Sequence, residues 1–332
     1  MSKLAIHKKL LVNTQQFVLI TSVVLFIVKV AAWYQTESVA ILSDALESVV
    51  NIVAALIGLY SIVLSFKPRD KEHPYGHGKI EYITSAMEGV LIAVAGLLIL
   101  YEAIKKLVSP RELNSLNSGI TLIAISLVVN FSLGIYSIRK GKKYHSSVLQ
   151  AAGQHTITDA YSSLGILIGI FIIHLTGFNW LDSIIAIIIS VIIFYNAYKI
   201  IHKSIFAIMD GYDENLVSTL IVLLNKYRQH HWIDIHNLRV INYAGFYHID
   251  CHLTVPHYIT VEEAHAIQDE LIQLVKIQFN KQVEFFIHID PCVTSQCSIC
   301  AVENCHKRIS SFIAINEWNI QNIITNKKHI KS

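Results

Sequence analysis

Charge is scarce in this chain: 15% of its 332 residues are Asp, Glu, Lys or Arg, against about 25% in an ordinary soluble domain. With 53% hydrophobic residues and a mean hydropathy of +0.47, the shortfall argues against a disordered chain, a collagen-like chain or a cytosolic enzyme. A strong excess of basic charge is lacking too. The formal net charge is only +3, and the Lys and Arg residues flank apolar segments instead of forming one face, so no nucleic-acid partner is expected. Cysteine is sparse and lopsided, with five residues of which four follow position 291. That is too few and too clustered for a secreted disulfide framework. Histidine runs the other way: seventeen residues supply the commonest metal-binding side chain.

A membrane-spanning helix needs about 20 mostly apolar residues. Six stretches qualify: 17–33, 39–66, 80–107, 119–138, 148–175 and 181–201. The gaps between them carry breakers and charges, such as Lys67-Pro68-Arg69 and Gly141-Lys142-Lys143. No cleavable signal is expected, because Lys3, Lys8 and Lys9 run straight into a long span without a small-residue cleavage site. Basic residues gather before the first stretch, between the second and third, and between the fourth and fifth, whereas 34–38 and 176–180 contain none. Lys105, Lys106 and Arg111 break the pattern. The bias predicts that both termini are cytoplasmic, and the expected location is the bacterial inner (plasma) membrane, as a multi-pass protein.

The character changes after residue 201. Residues 213–227 and 261–279 carry apolar side chains at helical spacing, 247–255 and 283–289 alternate, and a weaker strand is expected over 238–243. The order helix, strand, strand, helix, strand makes a small two-layer α/β domain of roughly 80 residues. The expected organisation is a six-helix membrane domain over 1–209, a cytoplasmic α/β domain over 210–290 and a cysteine-containing tail over 291–332.

Several residues do not belong in hydrocarbon. Asp44, Glu47 and Asn51 share one face of the second helix, and His155, Asp159 and Ser162 share one face of the fifth. A carboxylate near the bilayer centre costs roughly 2.5–3.5 kcal/mol, so such residues turn to the bundle interior. Structural polar contacts across the bundle are the plain alternative. A divalent cation accounts better for two ligand-like stripes on two helices. Glu47 and Asp159 offer negative charge, His155 a nitrogen and Asn51 an amide oxygen, and two facing helices can assemble a tetrahedral set. Such ligands bind metal only when deprotonated, which makes exchange of metal against protons natural.

The segments SVAILSDALESVVN (38–51), DKEHPYGHGK (70–79), His155-Thr-Ile-Thr-Asp159 and His288-Ile-Asp-Pro-Cys292 resemble the cation diffusion facilitators. The resemblance runs in order from residue 17 to residue 292. It implies a homodimeric metal–proton antiporter with a six-helix membrane bundle and a ferredoxin-like cytoplasmic domain. It implies a transport site of Glu47, Asn51, His155 and Asp159, a loop site of Asp70, His73 and His77, and a cytoplasmic binuclear site of His252, His265, His288 and Asp290. Lys79 and Asp210 match an interlocking salt bridge of the family. The implied ion is a divalent metal, both as substrate and as ligand of the cytoplasmic domain, with zinc first and Fe(II), Mn, Co and Cd as alternatives. The chain also departs from the pattern. Many zinc-transporting members carry Asp or His and then Asp four residues later in helix two, where this chain has Glu47 and Asn51. An Asn removes a charge and offers a harder oxygen, which suits manganese or ferrous iron at least as well as zinc. Asp44, one turn away, either restores that carboxylate or serves as a hydrogen-bonding residue.

Cys292, Cys297, Cys300 and Cys305 are spaced Cx4Cx2Cx4C. In a reducing cytoplasm this reads as a thiolate metal site, zinc ahead of an iron–sulfur cluster, with unconnected thiols in a flexible tail as the alternative. Gly165 and Gly169 form a GxxxG packing surface on the fifth helix, and Glu88 is an intramembrane acid without an assigned partner. The functional expectation is a secondary active transporter, not an enzyme, exporting a divalent transition metal by alternating access about a midplane site. A membrane-anchored metal sensor or scaffold, using the cytoplasmic domain and the tail, is the rival. An intramembrane metallohydrolase is disfavoured, because the chain contains no HExxH.

Overall fold

Apolar sequence in a water-poor setting must satisfy its backbone internally, and a helix does so within one segment. The computed structural model describes residues 3–36, 39–108, 116–176, 180–243, 246–279 and 283–330. The chain divides into two compact units, Met1–Met209 and Asp210–Ser332. In the first, the six apolar stretches lie in six helices: α1 (Lys3–Thr36), α2 (Val39–Ser65), α3 (Ile80–Val108), α4 (Leu116–Lys143), α5 (Ser147–Thr176) and α6 (Trp180–Ile208). By length and hydropathy, three described stretches suffice to cross a membrane: Ile6–Ala31, Ile80–Lys105 and Ala186–Ile208. The described apolar part of α2, Asn51–Ser65, is shorter.

The helices pack chiefly in pairs, α1 with α2, α3 with α6 and α4 with α5. Glycine explains the closest of these approaches. A Cβ on Gly134 of α4 would lie 2.8 Å from the Gly153 carbonyl oxygen, and one on Gly153 of α5 would lie 2.8 Å from that of Gly134. Backbone therefore meets backbone, as small residues permit between membrane helices. The expected Gly165–Gly169 pair falls partly outside the described residues. At one end of the unit, buried Glu81 of α3 accepts hydrogen bonds from Ser65 Oγ at 3.0 Å, Ser146 Oγ at 2.7 Å and Ser147 N at 3.1 Å. This carboxylate joins the end of α2 to the start of α5, where the helix dipole favours negative charge.

The second unit begins with α7 (Glu214–Lys226), whose N-cap Asp213 accepts from Asn215 N and Leu216 N. Strands β1 (Asp234–Tyr243) and β2 (Phe246–Val255) pair antiparallel. Helix α8 (Val261–Gln278), opened by a Thr260/Glu263 capping box, then crosses over to β3 (Val283–Pro291), which lies parallel to β2. The sheet order is β1-β2-β3. One sheet face, with Ile249, Cys251, Leu253, Phe285 and Ile287, forms the core with Leu220 and Leu224 of α7 and Leu271 and Val275 of α8.

Two features differ from expectation. The first strand starts at Asp234, not near residue 238, because a bulge between His236 and Arg239 breaks the alternation that marks a strand. Asn237 takes a φ of 53° there and turns its N–H to the Thr325 carbonyl at 2.8 Å. Residues beyond 291, set apart above as a tail, fold with this unit. Trp318 is 1% exposed within the core, and the Asn225 side chain brackets its backbone, donating to Trp318 O at 2.8 Å and accepting from Trp318 N at 3.2 Å. The tail ends in a short helix, α9 (Ile320–Ile323).

The glycine contact gives a direct test. Gly153→Ala forces a methyl group against a backbone carbonyl that cannot rotate away, so the membrane unit should lose about 1–3 kcal/mol. A lowered melting temperature in detergent checks this; an unchanged melt would mean that α4 and α5 have room to separate.

Candidate metal centres

In the membrane unit, α1 to α5 enclose a cavity of about 30 Å³ lined by Lys29, Ser48, Asn51, Glu88, Asn130, His155 and Asp159, among others. A water needs about 10–15 Å³ on this measure, so there is space for one ion and little more. The Asn51 amide donates to Asp159 Oδ2 at 2.7 Å, joining α2 to α5. His155 Nε2 lies 3.9 Å from Asp159 Oδ1, one helical turn along α5. The other half of the Asn51 amide, Oδ1, is buried without a hydrogen-bond partner among the described residues. A buried oxygen left this way carries a desolvation penalty that a cation would relieve. Three of the four expected transport ligands thus line one cavity. The side chains of Asp44, Glu47 and Ser162 lie outside the described residues.

Two cavity residues extend the expected set. Lys29 of α1 is buried and donates from Nζ to Ser48 Oγ at 2.9 Å. Glu88 of α3 is 2% exposed, and neither of its carboxylate oxygens has a hydrogen-bond partner among the described residues. The sequence flagged Glu88 only as an orphan acid. Lys29 is a cavity residue that the sequence reading did not single out, although an intramembrane charge is itself a pathway signal.

The loop between α2 and α3 gathers Asp70, His73 and His77, with ligand atoms within 4.8 Å of one another. Gly76, at a φ of +96°, makes the turn that brings His77 back towards Asp70. His73 Nδ1 lies 3.1 Å from Asp70 Oδ1, and His77 Nε2 lies 3.3 Å from Asp70 Oδ2. Lys67 Nζ meets the same Oδ2 at 2.7 Å. The Lys67 hydrogen bond, aided by the His73 backbone N–H, holds the Asp70 carboxyl well below the usual carboxylate range. A metal entering here would compete with that ammonium for one oxygen.

The third cluster lies on the polar face of the sheet. Strand register aligns His236, His252 and His288 across β1, β2 and β3. Neighbouring rings lie 5.1 Å and 4.6 Å apart. Asp290 reaches all three: Oδ2 is 3.1 Å from His252 Nδ1 and 3.4 Å from His236 Nε2, and Oδ1 is 3.8 Å from His288 Nε2. His236, His252 and Asp290 form a three-donor group within 4.8 Å. His236 was missed because the bulge hid the start of β1; its register opposite His252 is the signal that would have found it. His265 is not brought to this row within the chain. It stands 69% exposed on α8, 3.7 Å from Asp269, and α8 packs on the opposite, apolar face of the sheet. Behind the row, Asp234 is fully buried and accepts from the backbone N–H and the ring of His329. Asp234 in turn holds the His329 imidazole above its ordinary value.

The Lys79–Asp210 pair implied above straddles the boundary between the two units. Within the first unit Lys79 Nζ donates to the Ile208 carbonyl at 3.3 Å.

Residues 16–209 match the family model described as the cation efflux transmembrane domain. Residues 220–292 match the model described as the cytoplasmic domain of cation efflux proteins. The chain is 33% identical over 239 residues to an uncharacterized transporter, sll1263, of Synechocystis sp. (strain ATCC 27184 / PCC 6803 / Kazusa), covering 72% of this chain and 77% of that protein. It is 29% identical over 280 residues to the manganese efflux system protein MneP of Bacillus subtilis (strain 168), covering 82% and 93%. It is also 29% identical over 275 residues to the cation-efflux pump FieF of Pectobacterium atrosepticum, covering 81% and 89%.

Asp159 is where the membrane geometry is most exposed to test. Asp159→Ala removes both the α2–α5 hydrogen bond and a ligand, and is expected to abolish metal flux from reconstituted vesicles while expression and dimer content stay near wild type. Unchanged flux would remove the cavity from consideration.

Proposed function

Since the chain belongs to the cation diffusion facilitator family, a family of membrane transporters and not of enzymes, we propose that it exports a divalent transition-metal cation from the cytoplasm in exchange for protons. The ion binds in the cavity of the membrane unit and is passed across by alternating access. Asn51, His155 and Asp159 hold it together with Glu47, and Asp44, three residues before Glu47 in the sequence, is a further candidate acid. One observation carries this reading: Asn51 and Asp159 meet at 2.7 Å beside an amide oxygen that no described group satisfies. Hydrocarbon-buried donors arranged this way cost stability unless a ligand uses them.

Release of the ion leaves basic groups behind. His155 and Asp159 take up protons in its place, and Glu88, whose carboxylate lines the same cavity, joins them. All six long helices span the bilayer in this reading, and both termini are cytoplasmic. The cytoplasmic unit pairs with a second copy. Metal on the row of His236, His252, His288 and Asp290 tightens that pair, with His265 added at the subunit interface, and the loop site of Asp70, His73 and His77 binds metal peripherally. These two sites regulate, and the membrane cavity transports.

The donor set is richer in oxygen than in nitrogen, which suits Mn(II) or Fe(II) at least as well as zinc. A relative named for manganese efflux, covered over 93% of its length, supports keeping manganese among the substrates. Competitive uptake of Zn, Fe(II), Mn, Co and Cd into proteoliposomes under a pH gradient tests the proposal. Flux of none of them at any gradient would favour the sensor or scaffold reading.

Two variants sharpen the result. Asn51→Asp adds a carboxylate and should move preference towards zinc and cadmium in the same competition; an unaltered profile would assign selectivity to Glu47, Asp44 or geometry. Glu88→Gln should leave metal binding intact but lower proton-driven turnover by about tenfold, ~1.4 kcal/mol in the barrier. Equal turnover across the pH range would take Glu88 out of the proton path.

A further inference from the structure

The match to the family's cytoplasmic domain ends at residue 292, yet the chain continues into an ordered loop that carries three more cysteines. Cys292 directly follows β3, and its N–H extends the ladder to Val255 O at 2.8 Å. Cys297 closes the 3-10 turn Thr294–Gln296. Cys300 is buried. Cys305 follows Asn304, whose φ of 54° reverses the chain. All four side chains line one cavity of about 370 Å³, shared with His257 and Arg308.

The loop's path is fixed independently of any sulfur. The Arg308 guanidinium donates to the carbonyls of Cys297 at 2.8 Å, Cys300 at 2.9 Å and Val302 at 2.8 Å. Ile313 N returns to Ser298 O at 2.8 Å. An arginine that ties three carbonyls within six residues holds the chain in a curl along one side of the cavity. His257, in the loop after β2, places Nδ1 3.4 Å from Cys292 Sγ. Burial raises the Cys292 and Cys300 thiols above their ordinary value. No three of the sulfurs lie within 4.8 Å, so a closed shell requires side-chain rotation about Cα–Cβ, between rotamers that each cysteine can reach.

We propose that Cys292, Cys297, Cys300 and Cys305 form a tetrahedral thiolate site for Zn(II) that staples the segment after β3 to the cytoplasmic unit. Four thiolates at short spacing are the donor set that closed structural zinc sites use. Binding expels the thiol protons, and the free energy of coordination becomes folding energy for the loop. Cys251, the remaining cysteine, is buried in the sheet core and takes no part. The staple has a neighbour: Cys292 sits two residues after Asp290 of the histidine row. Gln296, inside the same loop, reaches from Nε2 to Asp234 Oδ2 at 3.4 Å and to His329 O at 3.2 Å. Zinc here therefore fixes a loop that also touches Asp234 and His329 behind the histidine row.

The test uses the full chain, purified in detergent under reducing conditions, and its readout is metal content and spectroscopy, not transport. After chelation of weakly held ions, elemental analysis should find zinc that is absent from a Cys297→Ser/Cys300→Ser variant. The cobalt-substituted wild-type protein should show a sulfur-to-cobalt charge-transfer band, kept in His236→Ala and lost in the double cysteine variant. If the double variant does not fold, the wild-type cobalt spectrum still decides. Equal zinc content with and without the cysteines, a cobalt spectrum lacking the thiolate band, or cysteines recovered as disulfides from reduced protein would each overturn the site. None of these outcomes depends on whether the membrane unit moves metal.

Discussion

A carboxylate buried between apolar helices is costly without a donor, and the 2.7 Å hydrogen bond from Asn51 to Asp159 supplies one across α2 and α5. The bond satisfies one oxygen of the acid and one half of the amide, leaving Asp159 Oδ1 facing His155 and Asn51 Oδ1 without a described donor. It leaves the amide oxygen of Asn51 beside the acid, buried and without a hydrogen-bond partner among the described residues. Much of the surrounding helix packing keeps that arrangement in place. Gly134 and Gly153 let α4 press against α5 at backbone contact, and close-packed interiors transmit small shifts instead of absorbing them. A displaced α5 would carry His155 and Asp159 with it.

Electrostatics around this pair is balanced, not simply negative. Lys29 brings an ammonium into the wall that also holds Asp159 and Glu88. Charges this deep interact far more strongly than at a surface, because little water screens them. The divalent cation proposed to bind here would meet both attraction and a standing repulsion, a balance that would ease its release. The same principle operates in the loop and on the sheet, where Lys67 lies 2.7 Å from Asp70 and Lys328 lies 3.7 Å from Asp290. At both positions a lysine already sits beside the acid that metal would use.

Much of this architecture was legible in the sequence, because hydrophobic length and four-residue polar spacing are strong signals. The stripes of Asn51 on α2 and of His155 and Asp159 on α5 are visible as soon as an apolar run contains polar residues at helical period. The order of elements in the cytoplasmic unit was readable from alternation in β2 and β3. What escaped was set by irregularity and by tertiary contact. His236 hid behind a bulge, since one extra residue shifts the alternation that strand recognition relies on. Lys29 lay alone on α1 with no periodic companion. His265 is joined to the histidine row by motif position alone, since within one chain α8 covers the other face of the sheet. That the last forty residues fold back on the domain, with Trp318 in its core, rests on long-range packing that no local pattern announces.

Glu81 carries a consequence for motion. Its carboxylate binds Ser65, Ser146 and Ser147 at once, so the adjoining ends of α2, α3 and α5 are knotted at one buried point. A bundle that opens first to one side and then to the other needs a fulcrum that stays still while longer arms swing. With these three ends pinned together, the swing that the proposed alternating access requires would grow along the helices away from the knot, and the cavity some turns further on would travel through the arc.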